Sequence, residues 1–212
     1  ILDNARHEAK SSPPSALTGG CRISFPLPNP SEMGVAKFET LLRDFLLQGC
    51  YKAWVADSQI RNSGPFINGK SWGTHNSVMI YYSPESWNWL KARNREGEMP
   101  DGAMIVKEMF PSPAKQDAKL TSWTIMVKDK KGSFDGWYWS YQSLKPGAPN
   151  TDIDYPDSGF ALYCLRCHAS AEKESTFLSL KNVEGDPISF TILAPTMLPQ
   201  PLPNEDFHER VS

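Results

Sequence analysis

The chain of 212 residues has few of the features that would direct it to a membrane or to a nucleic acid. No apolar run approaches the roughly 20 residues that a membrane-spanning helix needs. Lys and Arg number 22 against 24 Asp and Glu, and no long basic run is present, so neither a membrane span nor a nucleic-acid partner is expected. Cysteine and histidine are scarce, with four of each, and a place where they cluster is therefore informative.

Two of the cysteines and one histidine stand together in Cys164-Leu165-Arg166-Cys167-His168. Two thiols three residues apart on a helical turn can each add to a vinyl group of one porphyrin, and the next histidine is placed to ligate the iron. A redox dithiol, a structural disulfide and half of a zinc site are alternatives. The adjoining histidine, and the lack of a second cysteine pair with zinc spacing, weigh against them. The motif predicts one haem c, attached through Cys164 and Cys167, with His168 as the metal ligand.

This cofactor implies a compartment, because haem c is attached on the outer side of the bacterial inner membrane. We therefore expect a periplasmic or extracellular protein, and a chain beginning at Ile1 is what a processed secretory product would look like. Disulfides form in such a compartment, and Cys21 and Cys50 are the candidate pair. Lipidation of Cys21 after Leu17-Thr18-Gly19-Gly20 and two separate thiols are the alternatives.

Proline divides the chain into three parts. Residues 1–35 are a Pro-rich N-terminal arm, 36–182 are the haem-binding domain, and 183–212 are a Pro-rich C-terminal tail. Apolar residues recur at helical spacing from Phe38 to Leu46, after a Pro30-Ser31 start and before Gly49. Ser83-Pro84-Glu85 opens a second helix.

The middle of the chain has the composition of β-strands. Branched and aromatic residues between turn formers predict strands at 78–82, 103–110, 120–128 and 136–142. Pro100-Asp101-Gly102 predicts a turn, and residues 129–132 predict a hairpin loop. The predicted fold class is α+β, mainly an antiparallel sheet with a few helices and a haem-attachment helix late in the chain. Small electron-transfer cytochromes carry the motif early, and bundle cytochromes lack such strands.

The order of these motifs resembles the cytochrome P-460 family. The resemblance spans roughly residues 36–180, and its most specific elements are Pro100-Asp101-Gly102, the strand ending in Val106-Lys107-Glu108, and the late Cys-x-x-Cys-His. It implies a mainly antiparallel β-fold, a homodimer, a His-ligated iron with an open second face, and chemistry on hydroxylamine or nitric oxide. Electrons would then pass to a partner cytochrome or another acceptor, and a larger assembly is a further possibility.

The resemblance also implies roles for individual residues. In family members that oxidise hydroxylamine a lysine is bonded to the porphyrin rim, and Lys107 is the matching position. A lysine held against a hydrophobic macrocycle loses hydration, so its neutral amine becomes a nucleophile. The alternative is an ordinary lysine at a solvated sheet edge. Glu172 and Glu174 follow the haem motif where the family implies an acidic proton relay, and a solvated charged face is the alternative.

Three functional interpretations stay open. The first is an enzyme, a haem oxidoreductase that acts on hydroxylamine at an open iron site. The second is a gas-binding haem protein without catalysis. The third is a six-coordinate electron carrier whose second ligand is His75 or Met197, although His75 could equally be a hydrogen-bonded structural residue and Met197 core filler.

Overall fold

An antiparallel sheet forms the centre of the computed structural model, which describes residues 20–63, 66–67, 70–71, 75–92, 97–144, 158–160, 162–169, 171 and 173–185. Within these residues the sheet has seven strands and a separate hairpin has two. The strands are β1 (Val55–Ala56), β2 (Arg61–Asn62), the hairpin β3 (Phe66–Ile67) and β4 (Lys70–Ser71), β5 (Ser77–Tyr82), β6 (Met104–Phe110), β7 (Ser122–Lys128), β8 (Trp137–Ser143) and β9 (Ser158–Gly159). The path runs β1-β5-β6-β7-β8-β9, with β2 also on β5.

The four long strands confirm the predicted antiparallel sheet. Each pairs with the next along the chain, β5 with β6, β6 with β7 and β7 with β8. The turn before β6 is formed as expected, since the Ala103 amide donates to the Pro100 carbonyl at 3.1 Å and Gly102 has a φ of 79°. The β7–β8 connection is longer than the four predicted residues and occupies 129–136, closed by the bond from the Asp129 amide to the Gly136 carbonyl at 2.9 Å.

Strand alternation gives the sheet two faces with different contents. Successive side chains point to opposite sides, so residues 104, 106 and 108 of β6 share one face while 105, 107 and 109 share the other. The first face holds one buried cluster and the second holds another, with Val106 in the former and Ile105 in the latter. We call the first the helix face and the second the motif face.

The helix face is covered by the helices α1 (Pro30–Met33) and α2 (Val35–Leu47). Phe38, Leu42, Phe45 and Leu46 of α2 are buried against the sheet. The prediction of a single helix from Pro30 onward was wrong in one respect, because the segment forms two helices. Gly34 has a φ of 86°, which a glycine adopts readily, and it separates the two helices. A 3₁₀ turn at Cys50–Ala53 then leads into β1.

The motif face is covered by α3 (Pro84–Lys91), α4 (Leu162–His168) and α5 (Leu180–Glu184). α3 begins as the sequence predicted: Pro84 occupies the first helical position, and the Ser83 hydroxyl accepts the Ser86 amide at 3.3 Å. The buried apolar residues of this cluster are Val78, Ile80, Tyr82, Trp89, Leu90, Met99, Ala103, Ile105, Met126, Trp137, Trp139 and Leu178.

The helices and strands do not test the predicted division of the chain into three parts. The division into an arm, a domain and a tail at residues 35 and 182 stays a prediction, and residues 1–19 and 186–212 lie outside the described residues. Leu27, within the predicted arm, is buried in the cluster on the helix face. Across the described ranges, no helix combines the length and the apolar character required to traverse a bilayer.

Cys21 and Cys50 form a disulfide between the segment before α1 and the turn after α2, with Cα atoms 5.1 Å apart. The expected pairing is therefore confirmed. The bridge closes a loop of 29 residues over the helix face. We expect the Cys21→Ser/Cys50→Ser variant to lose about 3 kcal/mol of unfolding free energy in urea titrations, because the unfolded chain gains freedom. The wild type with a reductant should match the variant, and an unchanged midpoint in both would contradict this.

Candidate functional site

Helix α4 presents the Cys-x-x-Cys-His motif to the motif face of the sheet. Cys164 and His168 are four residues apart and Cys167 is three from Cys164, so all three lie along one side of the helix. Cys164 is half-buried and packs with Leu165 against the cluster on the motif face, while Cys167 is exposed. Burial raises the pKa of the Cys164 thiol to about 11.

His168 is buried at the end of α4 in an aromatic setting. Its ring centre lies 4.8 Å from that of Trp139 and 5.4 Å from that of Phe177. Nδ1 lies 2.7 Å from the Ser175 carbonyl oxygen, to which it donates. Nε2 makes no hydrogen bond within the part of the chain that the structure describes. A carbonyl that fixes the proton on Nδ1 leaves the lone pair on Nε2, and metal-bound histidines usually have this arrangement.

The Ser175 carbonyl is aimed by an unusual turn. Glu174 and Ser175 have φ values of 53° and 50°, both in the left-handed region that residues other than glycine seldom adopt. The turn is closed by the Thr176 amide, which donates to the Lys173 carbonyl at 3.0 Å. Two consecutive left-handed residues persist only where their surroundings hold them, and such positions cluster at functional sites.

Glu174 supplies that hold. Its Oε2 lies 2.7 Å from Nζ of Lys128 and its Oε1 accepts the Met99 amide at 2.9 Å. Both side chains of this ion pair are buried, and the Lys128 ammonium also lies 5.1 Å from the centre of the Trp137 ring. The carboxylate is thus engaged on both oxygens by the sheet and by the segment before the Pro100 turn. Its expected catalytic role stays a prediction, and the alternative residue, Glu172, lies outside the described residues.

Lys107 lies on the motif face, in the middle of β6. It is opposite Ile80 of β5 and Thr124 of β7, and its side chain is partly buried. Its amine makes no hydrogen bond or ion pair with the described residues. Burial, and then the charge of Arg61, lower the pKa of Lys107 to about 8, although Asp57 opposes the shift. Asp57 is itself buried and accepts from Arg61 Nε at 3.1 Å and from the Tyr82 hydroxyl at 2.5 Å.

His75 is the third residue of this site, beside His168 and Lys107. It precedes β5, and its ring centre lies 6.4 Å from that of His168 with the planes at 75°. Nδ1 of His75 is buried and has no hydrogen-bond partner among the described residues. The Lys107 charge, and then burial, hold the pKa of His75 well below its usual range. Burial, and then the same charge, lower the pKa of His168 to about 4, so both imidazoles are neutral at physiological pH.

The fold and the site together define a class: an antiparallel-sheet protein in which a Cys-x-x-Cys-His helix sets a buried, neutral histidine against an aromatic sheet face. Comparison with known proteins is specific about the family. The family model for cytochrome P-460 matches residues 51–178, more than half of the chain. The chain belongs to the cytochrome P-460 family, a family of haem iron proteins. A search of curated proteins finds no match.

The motif face fits a haem on independent grounds. It is apolar, as a macrocycle requires, and it offers Cys164 and the oriented His168 at one end. It also holds two buried polar atoms without partners among the described residues, Nδ1 of His75 and Oγ1 of Thr124. Both residues are near Lys107: Thr124 is its cross-strand partner, and the charge of Lys107 acts on His75. Buried polar atoms in native proteins are nearly always satisfied, so unsatisfied atoms gathered on one face indicate a missing group.

Several site residues could not be found from the sequence. The Ser175 carbonyl, the Lys128–Glu174 pair and Asp57 have no motif, and the two members of that pair are separated by 46 residues. Alternation along β6 places Lys107 on the face opposite Glu108, but it does not predict which helices pack on that face. Met197, the other candidate for a second ligand, lies outside the described residues.

We expect Glu174→Gln to cost about 3 kcal/mol of unfolding free energy, because it leaves the buried Lys128 ammonium without its counter-charge. Lys130→Met is the matched control, since the Lys130–Glu98 pair is exposed and its loss should change the urea midpoint little. In Lys128→Met/Glu174→Gln the loss should be smaller than the sum of the single variants. Additive losses would mean that the two side chains do not act as a pair.

Proposed function

We propose that the chain carries one haem c, attached through Cys164 and Cys167 with His168 as the iron ligand, and that hydroxylamine or nitric oxide reacts at the other side of the iron. Bound haem iron supplies a redox centre able to bind small nitrogen compounds and exchange electrons. The observation that carries the proposal is the His168 ring, which is buried on an apolar face with Nδ1 committed to the Ser175 carbonyl.

The protein's own residues would orient and protect this centre. The Ser175 carbonyl fixes the tautomer and the rotation of His168 and raises its basicity as a ligand. Trp139 and Phe177 pack around the imidazole and keep water from it. Burial of this kind strengthens each polar contact within the site, since the surroundings screen charge less than water does.

Lys107 is the residue of this face that is best suited to hold a proton or to act as a nucleophile. A pKa of about 8 leaves a substantial share of the amine neutral near physiological pH, and a neutral amine has a lone pair. No acid among the described residues pairs with it. We propose Lys107 as the lysine bonded to the porphyrin rim. Glu174 would act by positioning the Ser175 carbonyl, and a role for it in proton transfer is the alternative.

The proposed cofactor also indicates the cellular compartment. Haem c attachment and the Cys21–Cys50 disulfide both suit an oxidising compartment outside the cytoplasm, so we propose a periplasmic or secreted protein. Electrons would pass to a partner cytochrome or another acceptor. A homodimer, or a place in a larger assembly, is proposed on the family resemblance alone.

The attachment is tested in a Lys107→Met background, so that the proposed bond between Lys107 and the porphyrin cannot hold the haem. In that background we expect the Cys164→Ser/Cys167→Ser variant to release its haem into acidified organic solvent, because no thioether would retain it. The wild type should keep the haem on the polypeptide under the same extraction, with the mass of one haem in the intact protein. The Cys21→Ser/Cys50→Ser variant is the matched control and should also keep it, since those cysteines form the disulfide. Haem retained in the Lys107→Met background after loss of both motif cysteines would refute the attachment.

We expect peptide mapping of the haem-loaded protein to find the residue-107 peptide joined to the haem, and the reduced absorption band to be broad and red-shifted. Lys107→Met should remove both features while leaving the haem on Cys164 and Cys167. Lys52 serves as an internal control, because it lies on the helix face, paired with Glu108, and its peptide should be unmodified. An unmodified Lys107 peptide from fully loaded protein would eliminate the cross-link and favour gas binding or electron transfer.

A further inference from the structure

The position of His75 relative to His168 is specific enough to assign it a role. The two ring centres are 6.4 Å apart and the ring planes are at 75°. Two nitrogens bonded to one metal ion from opposite sides, each at about 2 Å, are about 4 Å apart, and their ring centres, each roughly 1 Å further back, are about 6 Å apart. Each ring can turn about that line, so nearly perpendicular planes are compatible with shared ligation.

The separation also distinguishes ligation from a weaker role. A histidine that only hydrogen-bonds a molecule bound to the metal needs room for that bond, about 3 Å, and for the bound atom. Its ring centre would then be about 9 Å from that of the first histidine. The observed 6.4 Å is shorter by more than 2 Å and matches direct ligation.

The hydrogen bonding of His75 supports the same assignment. Its ring makes no hydrogen bond with any described residue, and Nδ1 is buried without a partner. Its backbone, in contrast, is held: the Ser63 hydroxyl donates to the His75 carbonyl, which joins the segment before β5 to the residue that follows β2. An anchored backbone with an unsatisfied imidazole beside a second histidine is the arrangement expected of a metal ligand, since buried structural histidines are normally hydrogen-bonded.

We propose that His75 is the second axial ligand of the iron in the resting protein and is displaced when a small nitrogen compound binds. This inference rests on the haem binding at His168 proposed above. Open-site chemistry and a six-coordinate resting state then become two states of one protein. His75 regulates access to the iron, because an incoming ligand must compete with a tethered imidazole at high effective concentration.

Absorption and electron paramagnetic resonance spectra of the full-length, haem-loaded protein test the assignment. The ferric wild type should be low-spin, and His75→Ala should be high-spin with unchanged haem content, because the thioethers do not depend on His75. Added imidazole should return His75→Ala to a low-spin spectrum. His75→Met, which keeps a ligating side chain, should stay low-spin.

Nitric oxide binding gives a second measurement that does not depend on catalysis. Apparent affinity falls with the fraction of sites that are open, so a His75 bound in nine-tenths of molecules weakens binding about tenfold. His75→Ala should therefore bind nitric oxide at least about tenfold more tightly than the wild type. His75→Gln, which is closer in size and also lacks a nitrogen ligand, should behave as His75→Ala does if that variant folds poorly.

The possible failures separate the two proposals. A ferric wild type that is high-spin, with a spectrum and a nitric oxide affinity that His75→Ala does not change, would overturn the assignment of His75 and leave the haem site intact. A wild type without haem, or one whose iron spectrum is the same in His168→Ala, would overturn the proposed function and this inference together.

Discussion

The buried ion pair between Lys128 and Glu174 is the contact on which the geometry of the site depends. It joins the end of a sheet strand to the turn that carries the Ser175 carbonyl, and that carbonyl orients His168. The turn has two consecutive left-handed residues, a conformation with an intrinsic cost of a few kcal/mol. A buried pair adds little net stability over an apolar one, but a single broken partner is expensive, so the pair fixes position more than it adds stability.

The sheet separates two kinds of chemistry by strand alternation. Glu108 points to the helix face, where it accepts from the Tyr51 hydroxyl at 2.6 Å and pairs with Lys52. Its neighbour Lys107 points to the motif face and has no such partner among the described residues. A register shift of one residue would exchange them, placing the Glu108 carboxylate on the motif face and the Lys107 amine on the helix face. The strongly paired β5–β6–β7 ladder prevents this exchange.

The sequence predicts those parts that depend on local pattern. The four long strands follow from runs of branched and aromatic residues, α3 from its Ser83-Pro84 start, and the haem motif from five adjacent residues. The break at Gly34 was missed because an isolated glycine in a helical pattern is often tolerated. The long-range pairing of Lys128 with Glu174 could not be predicted, because 46 residues separate the two and no local pattern links them. His75 was a candidate second ligand from its residue type alone, but no pattern distinguished it from Met197 or placed its ring near that of His168.

Charge at the site is distributed in a way that favours ligation. Lys107, His75 and His168 could each carry a proton, but three cations cannot gather on an apolar face without a large loss of hydration. The lysine has much the highest intrinsic proton affinity, so it keeps the charge at neutral pH. Burial disfavours that charge and lowers the pKa of Lys107 to about 8. Its charge in turn lowers the pKa of both histidines. Neutral imidazoles have the lone pair that an iron ligand requires, so the charge on Lys107 favours the ligand roles proposed for both histidines.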